Sequence, residues 1–284
     1  LSGISSEDQN GIDDILINLD GTDNKSRLGA NAILGVSLAT AKASANSNKV
    51  ELFEYLNKSN SYTLPVPMMN IINGGAHANN SLDFQEFMIM PISALSFQNA
   101  MQMGSEIFHS LKIILSEMGE PTSVGDEGGF APNIASPEET LSLLCKAIEN
   151  AGYRVEDDIV FALDVAATEF HKDGFYNLTN INNPINSDEM IDYLETLINK
   201  FPIFSIEDPL DEDDWDGWTK LNSNIGNKIQ IVGDDLFVTN SKRLERGIEQ
   251  DSANSILIKV NQIGTLSETF NSIDIARKNN YSYI

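Results

Sequence analysis

Short apolar runs alternate with stretches of helical periodicity from about residue 138 to the end of the chain. Apolar runs of this length are typical of buried strands, and the stretches between them have the length of helices. Strands that alternate with helices pair in parallel and are joined by right-handed crossovers. The predicted elements are a helix at 138–151, a strand ending at Asp164, a helix at 188–200, a strand ending at Glu207, a helix near 215–221, a strand ending at Asp234, a helix from about Ser241, a strand ending at Lys259, a helix from about Leu266 and a strand from about Tyr281.

Each of four successive predicted strands ends in a charged side chain. Asp164 lies 43 positions before Glu207, Glu207 lies 27 before Asp234, and Asp234 lies 25 before Lys259. A (β/α)8 barrel has roughly 31 residues per strand–helix unit, so each step is about one unit. The functional groups of such barrels lie at the carboxyl ends of the strands. A doubly wound sheet would place ligands similarly, but no phosphate-binding glycine fingerprint follows the first strand.

The first 60 residues carry a helical pattern. Apolar and small side chains fall near one face of a helix between Leu28 and Ala39. A turn signal at 20–24 precedes this helix, and a short helix follows at about 51–57. Pro65 and Pro67 favour extended backbone and end the helical region. The pattern therefore divides the chain into residues 1–60 and residues 61–284.

The segment after this boundary predicts a strand pair, a helix and a loop. The strands, at 68–72 and 84–90, are antiparallel because their connection is too short for a helical crossover. The segment 97–115 has apolar residues at steps of three and four, which predicts an amphipathic helix. The run at 124–133 is dense in glycine and carries two acids and a phenylalanine, and we expect it to be an irregular loop.

The chain is strongly acidic, with 42 Asp and Glu against 18 Lys and Arg and a formal charge of −24. Because the sequence shows no basic patch, we do not expect nucleic acid or anionic membranes as direct partners. An anionic substrate would need local positive charge, which a bound metal supplies.

The single cysteine, Cys145, excludes an intrachain disulfide and favours a reducing, cytoplasmic location. We recognise no signal peptide and no apolar run long enough to span a bilayer. Residue 1 is Leu, and the last residues form an apolar run. We therefore expect the chain to be a fragment of a longer protein.

Carboxylates at three neighbouring strand ends are candidate metal ligands. Asp164, Glu207 and Asp234 form an oxygen-only set, which suits a hard cation, and Mg²⁺ is the expected cofactor. The alternative is helix capping or ion pairing, which also accounts for the acids at 208 and 211–214.

Lys259 is the candidate base. A nearby cation favours the neutral amine form of a lysine, which then accepts protons. Beside a metal that faces a carboxylate substrate, such a lysine removes the proton α to that carboxylate. Glu127, in the glycine-dense run, is the candidate acid that protonates a leaving hydroxyl, so the expected reaction is β-elimination of water. The alternative for Lys259 is a strand-end side chain whose head reaches water.

Longer runs around these positions resemble the enolase family, and several of them are not shared across its wider superfamily. They are LDGT at 19–22, LGANAILGVS at 28–37, PMMNIINGGAH at 67–77, QEFM at 85–88, GDEGGF at 125–130, SIEDP at 205–209, GDDL at 233–236 and KVNQIGT at 259–265. The resemblance implies Mg²⁺-dependent dehydration of 2-phospho-D-glycerate to phosphoenolpyruvate in glycolysis, reversed in gluconeogenesis. The residues implied by the matching motifs are the catalytic pair Glu127 and Lys259, the substrate-binding residues His77, Gln85, Glu86 and Lys259, and the metal ligands Asp164, Glu207 and Asp234.

The fold implied by the resemblance is an enolase-type (β/α)8 barrel that opens with two antiparallel strands. Residues 1–60 would be the helical, C-terminal part of a small α+β domain, and residues 61–284 an incomplete barrel. The family's second Mg²⁺ site and phosphate-binding segments would lie outside this stretch, so we expect the stretch alone to be inactive. A homodimer or higher homo-oligomer in the cytoplasm is also implied. A further cell-surface or secreted pool rests on family resemblance only.

Two other functions stay open at this point. One is a racemase or cycloisomerase reaction on the same metal-assisted fold, which is disfavoured because the loop carrying Glu127 resembles enolases alone. The other is a non-catalytic, surface-binding or assembly role. That role would be favoured if one of the strand-end acids were replaced, and none is.

Overall fold

The computed structural model describes residues 1–57, 61–125 and 128–284, so the predicted acid Glu127 lies outside the described residues. The α-helices are α1 (Gln9–Asp20), α2 (Ala30–Asn48), α3 (Leu52–Leu56), α4 (Phe97–Met118), α5 (Pro137–Asn150), α6 (Ser187–Lys200), α7 (Trp215–Ile225), α8 (Ser241–Gln250), α9 (Val260–Ile263) and α10 (Leu266–Lys278). The strands are β1 (Met69–Asn73), β2 (Glu86–Pro91), β3 (Val124–Gly125), β4 (Gly128–Phe130), β5 (Ile159–Asp164), β6 (His171–Lys172), β7 (Phe175–Tyr176), β8 (Ile203–Glu207), β9 (Gln230–Gly233), β10 (Ser255–Ile256) and β11 (Ser282–Tyr283). Short 3-10 helices occupy Gly75–His77 and Ala167–Phe170.

The chain forms two compact units. The first unit consists of Leu1–Thr63, Phe237–Gln250 and Ser255–Ile284, and the second of Leu64–Leu236 and Asp251–Asn254. The first unit thus joins the start of the chain to segments near its end. The sequence suggested a division only at residue 60, because chain order says nothing about which distant segments pack together.

The second unit is built on one sheet, in which the strands follow the order β9, β8, β5, β2, β1, β4, β3. Strand β5 pairs in parallel with β8, and β8 with β9, as the alternation of strands and helices predicts. Strand β2 is antiparallel to β1 and to β5. The prediction of an antiparallel opening pair is therefore confirmed, and its cause is the short connection between β1 and β2.

Strands β5 and β2 form the centre of this sheet. All six residues of β5 are buried, as are the residues of β2 after Glu86. A strand covered on both faces carries an uninterrupted apolar run, which is the pattern of β5. On one face Met88, Met90, Val160 and Ala162 form a cluster. This packing holds the last residue of β5, the predicted metal ligand Asp164, in a defined place.

The glycine-dense run after residue 123 contains short strands, so the prediction of a wholly irregular loop was wrong there. Strand β3 pairs with β4, and Phe130 of β4 aligns in parallel with Ile72 of β1. Gly128 and Gly129 have φ angles of +81° and +65°, which residues with a Cβ atom rarely adopt. The Asn73 side chain donates hydrogen bonds to both glycine carbonyls, at 2.6 and 3.1 Å. Glycine here permits the strand pairing.

The first unit contains helix α1, which the sequence analysis did not single out. Ile12 and Leu16 of α1 pack on Ile33 of α2 in a buried cluster. An ion pair of 2.8 Å between Lys25 and Glu268 joins the segment after α1 to α10. Among the described residues, no helix combines the length and the apolar character needed to cross a membrane.

The predicted strand that ends at Lys259 is shorter than expected. Only Ser255–Ile256 form strand β10, which pairs in parallel with β11. Lys259 has extended backbone and precedes α9. This helix ends at Ile263 and is capped by Gly264, which has a φ of +93°. An apolar run of this length cannot reveal such a break, because strand and helix share its composition.

Candidate metal and substrate site

Three carboxylates of the second unit meet at the carboxyl ends of β8 and β9. Glu207 is the last residue of β8, Asp208 follows it, and Asp234 follows β9. One ligand oxygen from each lies within 4.8 Å of the other two. As whole residues they are buried, with exposures of 8, 4 and 5%. Parallel pairing of β8 and β9 brings these strand ends together, as predicted for Glu207 and Asp234.

Asp164 lies on the neighbouring strand. It is the register partner of Glu207 across the β5–β8 pair, although it is not a member of the close trio. Its Oδ1 accepts the Ala166 N–H at 3.0 Å, and its Oδ2 accepts the Gln85 side-chain N–H at 2.8 Å. These two bonds orient the Asp164 carboxylate, each of whose oxygens carries two lone pairs.

Asp208 is the residue that the sequence analysis placed elsewhere, among the capping or ion-pairing acids. Its Oδ1 accepts the backbone N–H of Asp234 at 3.0 Å, and its Oδ2 accepts that of Asp235 at 2.8 Å. Successive side chains of a strand point to opposite faces, which would separate Asp208 from Glu207. However, β8 ends at Glu207, and Asp208 has a φ of +41°, which turns the chain. Adjacency to Glu207 was the only signal in the sequence.

The electrostatics of this edge favour a bound cation. Burial raises the pKa of the Asp208 carboxyl well above its ordinary value. The hydrogen bond from the Asp235 N–H lowers this pKa, and the negative charges of Asp164, Asp235 and Asp234 raise it. A buried group of carboxylates that repel one another, with oxygen as the only donor atom, fits a hard divalent cation.

The predicted substrate-site residues of the second unit lie in and after the β1–β2 connection. His77 Nδ1 is 3.3 Å from Glu86 Oε1. Glu86 is in register with Asp164 across the β2–β5 pair, and Gln85 contacts Asp164 directly. The structure therefore brings Gln85 and Glu86 next to a predicted metal ligand, and His77 next to Glu86.

Lys259 belongs to the first unit. It is exposed, has extended backbone and immediately precedes α9. Its backbone N–H donates a hydrogen bond of 2.9 Å to the hydroxyl oxygen of Thr239, and its carbonyl accepts the N–H of Gln262 at 3.0 Å. Sequence analysis did not identify Thr239, because it lies 20 positions before Lys259 and in no recognised motif.

Comparison with protein-family models identifies the family to which these residues belong. A family model described as the enolase C-terminal TIM barrel domain matches residues 61–284. A model of the enolase N-terminal domain matches residues 1–56. The chain belongs to the enolase family.

Membership in the enolase family confirms the resemblance and the predicted fold class. Residues 61–284 are an enolase-type TIM barrel region, and the antiparallel β1–β2 pair with parallel β5, β8 and β9 agrees with it. Enolase domains indicate a lyase-type enzyme family that typically uses metal ions and small-molecule substrates. The carboxylate trio fits such a metal.

Proposed function

We propose that this protein catalyses the reversible dehydration of 2-phospho-D-glycerate to phosphoenolpyruvate, the glycolytic reaction of enolases. The proposal rests on one combination: a buried trio of carboxylates within a chain that belongs to the enolase family. We propose 2-phospho-D-glycerate as the substrate and Mg²⁺ as the cofactor on that basis.

The metal would be held by Glu207 and Asp234 with either Asp164 or Asp208. When bound, Mg²⁺ supplies positive charge that stabilises negative charge on the substrate carboxylate. Gln85 orients Asp164 through its 2.8 Å hydrogen bond. Asp208 holds the main chain at Asp234 through the 3.0 Å bond to its N–H. These contacts keep the ligands in one arrangement before the cation binds.

In the proposed reaction Lys259 removes the proton from the carbon next to the substrate carboxylate. The electron pair of that C–H bond forms the new double bond, and the C–O bond to the hydroxyl breaks. Glu127 donates a proton to the departing hydroxide, so that water is released. The roles of Lys259 and Glu127 follow from the family motifs that contain them.

The remaining parts of the proposal concern the cellular setting. A homodimer or higher homo-oligomer and a cytoplasmic location are consistent with the enolase family and with the single cysteine. Size-exclusion chromatography with light scattering would measure the oligomeric state.

The test uses the complete protein that contains these residues. Turnover and deuterium exchange at the α-carbon of 2-phosphoglycerate are measured together for wild type, Lys259→Ala and Glu127→Gln. Lys259→Ala should lose both by about 10²–10⁴-fold, since loss of a general base typically costs this much. Glu127→Gln should lose turnover and keep some exchange, because the proton can leave and return without elimination.

Lys220→Ala is the matched control, because Lys220 is an exposed lysine paired with Asp188 at the surface, at 2.7 Å. It should keep both activities. Exchange that survives in Lys259→Ala but disappears in Glu127→Gln would reverse the two roles. A wild-type protein without turnover of 2-phosphoglycerate would overturn the proposed function.

A further inference from the structure

The main chain around Lys259 is held by a strained turn of the first unit. Val238 and Thr239 have φ angles of +44° and +55°. β-Branched residues rarely adopt this left-handed conformation, so two in succession are genuine outliers. A hydrogen bond of 2.8 Å from the Asn240 N–H to the Phe237 carbonyl closes the turn. Such strain persists only where surrounding contacts enforce it, and it is concentrated at functional positions.

The contacts that enforce this turn converge on Thr239, which is fully buried. Ser272, also fully buried, donates its hydroxyl to the Thr239 carbonyl at 2.6 Å. The Thr239 hydroxyl accepts the Lys259 N–H at 2.9 Å and donates to Gln262 Oε1 at 3.0 Å. One hydroxyl therefore uses both its acceptor and its donor on the segment that carries the predicted base.

We infer that Thr239 is a positioning residue for Lys259. Its hydroxyl fixes the backbone immediately before α9, and this sets the direction in which the Lys259 side chain leaves the main chain. A valine would have the same shape but could neither accept from Lys259 nor donate to Gln262. The inference rests on the proposed role of Lys259 as the base.

The decisive variant is Thr239→Val in the complete protein. The rate kcat for dehydration of 2-phosphoglycerate should fall about 10- to 100-fold, because a small misplacement of a catalytic group costs up to that factor. Exchange of the α-proton should slow by a similar factor, while KM stays close to its wild-type value. Thr239→Ser, which keeps the hydroxyl, should recover most of both rates.

Thr269→Val is the matched control. Thr269 is a buried threonine of the same unit. Within the described residues, its hydroxyl donates one hydrogen bond, to the Thr265 carbonyl at 2.7 Å. The variant should lose stability and keep kcat. An equal loss of kcat in Thr269→Val would mean that general loosening explains the effect, and wild-type kcat in folded Thr239→Val would overturn the inference.

Two further measurements keep the inference testable. If Thr239→Val does not fold, Gln262→Leu removes the nearer of two acceptors of the Thr239 hydroxyl, at 3.0 Å, and leaves the Leu257 carbonyl at 3.5 Å. This variant should therefore lower kcat by a smaller factor. Amide hydrogen exchange at Lys259 needs no activity: it should be faster in Thr239→Val and unchanged in Thr239→Ser. If the wild type lacked 2-phosphoglycerate turnover, the proposed function would fail, but amide exchange at Lys259 would still show whether Thr239 holds the Lys259 backbone. An unchanged amide exchange rate at Lys259 in Thr239→Val would contradict the inference.

Discussion

The Asp208 carboxylate accepts the backbone N–H of Asp234 at 3.0 Å, so one acid of the candidate metal site holds the main chain of another. The second oxygen of Asp208 accepts the next N–H along the chain, that of Asp235. Asp208 also donates its own N–H to the Val232 carbonyl, at 3.0 Å. These bonds lock the end of β8 to the end of β9. Asp208 therefore shapes the site even if it does not bind the metal itself.

We predict that Asp208→Asn lowers Mg²⁺ affinity about 10- to 100-fold, the usual effect of losing a group that supports a metal ligand. An amide nitrogen cannot accept, so either Asp234 or Asp235 loses the partner of its N–H. Isothermal titration calorimetry measures the affinity. Asp188→Asn, which removes an exposed acid, serves as the control and should bind Mg²⁺ like wild type. Equal affinities in all three proteins would contradict the role of Asp208.

We predict that Asp234→Asn abolishes most Mg²⁺ binding, because it replaces a candidate carboxylate ligand of the trio by a neutral amide. In wild type, Mg²⁺ at 100 times its dissociation constant should raise stability by about 2.7 kcal/mol. That increase should disappear in the variant. Thermal unfolding with and without Mg²⁺ measures the difference. Full enzymatic turnover after exhaustive chelation would show that the metal is not needed.

Two glycine substitutions should have opposite effects on stability. Gly74→Ala places a Cβ in overlap with the Phe84 carbonyl and the Leu82 side chain, and we expect it to cost about 1–3 kcal/mol. Gly35→Ala lies on an exposed position of α2, where a Cβ meets nothing within 4 Å. It should stabilise by about 0.5–1 kcal/mol, since alanine is the better helix former. Urea denaturation measures both changes, and two changes of the same sign would refute the comparison.

Asp158 should contribute a pH-dependent part of the stability. Hydrogen bonds from the Arg154 side chain, and then from its backbone, lower the pKa of Asp158 to about 2. Because its pKa is lower in the folded state, ionised Asp158 stabilises the fold at pH values above its unfolded pKa of about 3.9. This contribution to stability is lost as the pH falls from about 3.9 towards 2. Asp158→Asn should therefore destabilise at pH 7, and its difference from wild type should shrink on acidification.

The control for this prediction is Asp157→Asn. Asp157 pairs with the same Arg154 at 3.0 Å but is 64% exposed, and exposed ion pairs contribute little. Its effect should be small at every pH. Urea denaturation of the three proteins over a pH series checks both statements. If the stability difference between wild type and Asp158→Asn grew on acidification, the prediction would be contradicted.

The sequence by itself determined the features that depend on local pattern. The alternation of apolar runs with helical stretches was enough to predict the parallel pairing of β5, β8 and β9. The short connection after Ile72 was enough to predict the antiparallel opening of the barrel. Carboxylates at the ends of these strands predicted a metal site, because parallel strands bring their carboxyl ends to one edge. Family motifs are likewise contiguous stretches and can be recognised without coordinates.

Tertiary structure alone decided the features that depend on the sign of a backbone angle or on distant hydrogen bonds. Asp208 enters the carboxylate trio because a φ of +41° turns it at the strand end, and alternation along a strand predicts the opposite side. Thr239 contacts Lys259 from 20 positions away, through a turn that β-branched residues seldom form. The strand pairing of the glycine-dense run likewise depends on contacts with Asn73, far away in the chain. For Thr239 and the glycine-dense run the sequence carries no local signal, because each is set by partners that only folding brings together. For Asp208 it offers only the adjacency to Glu207.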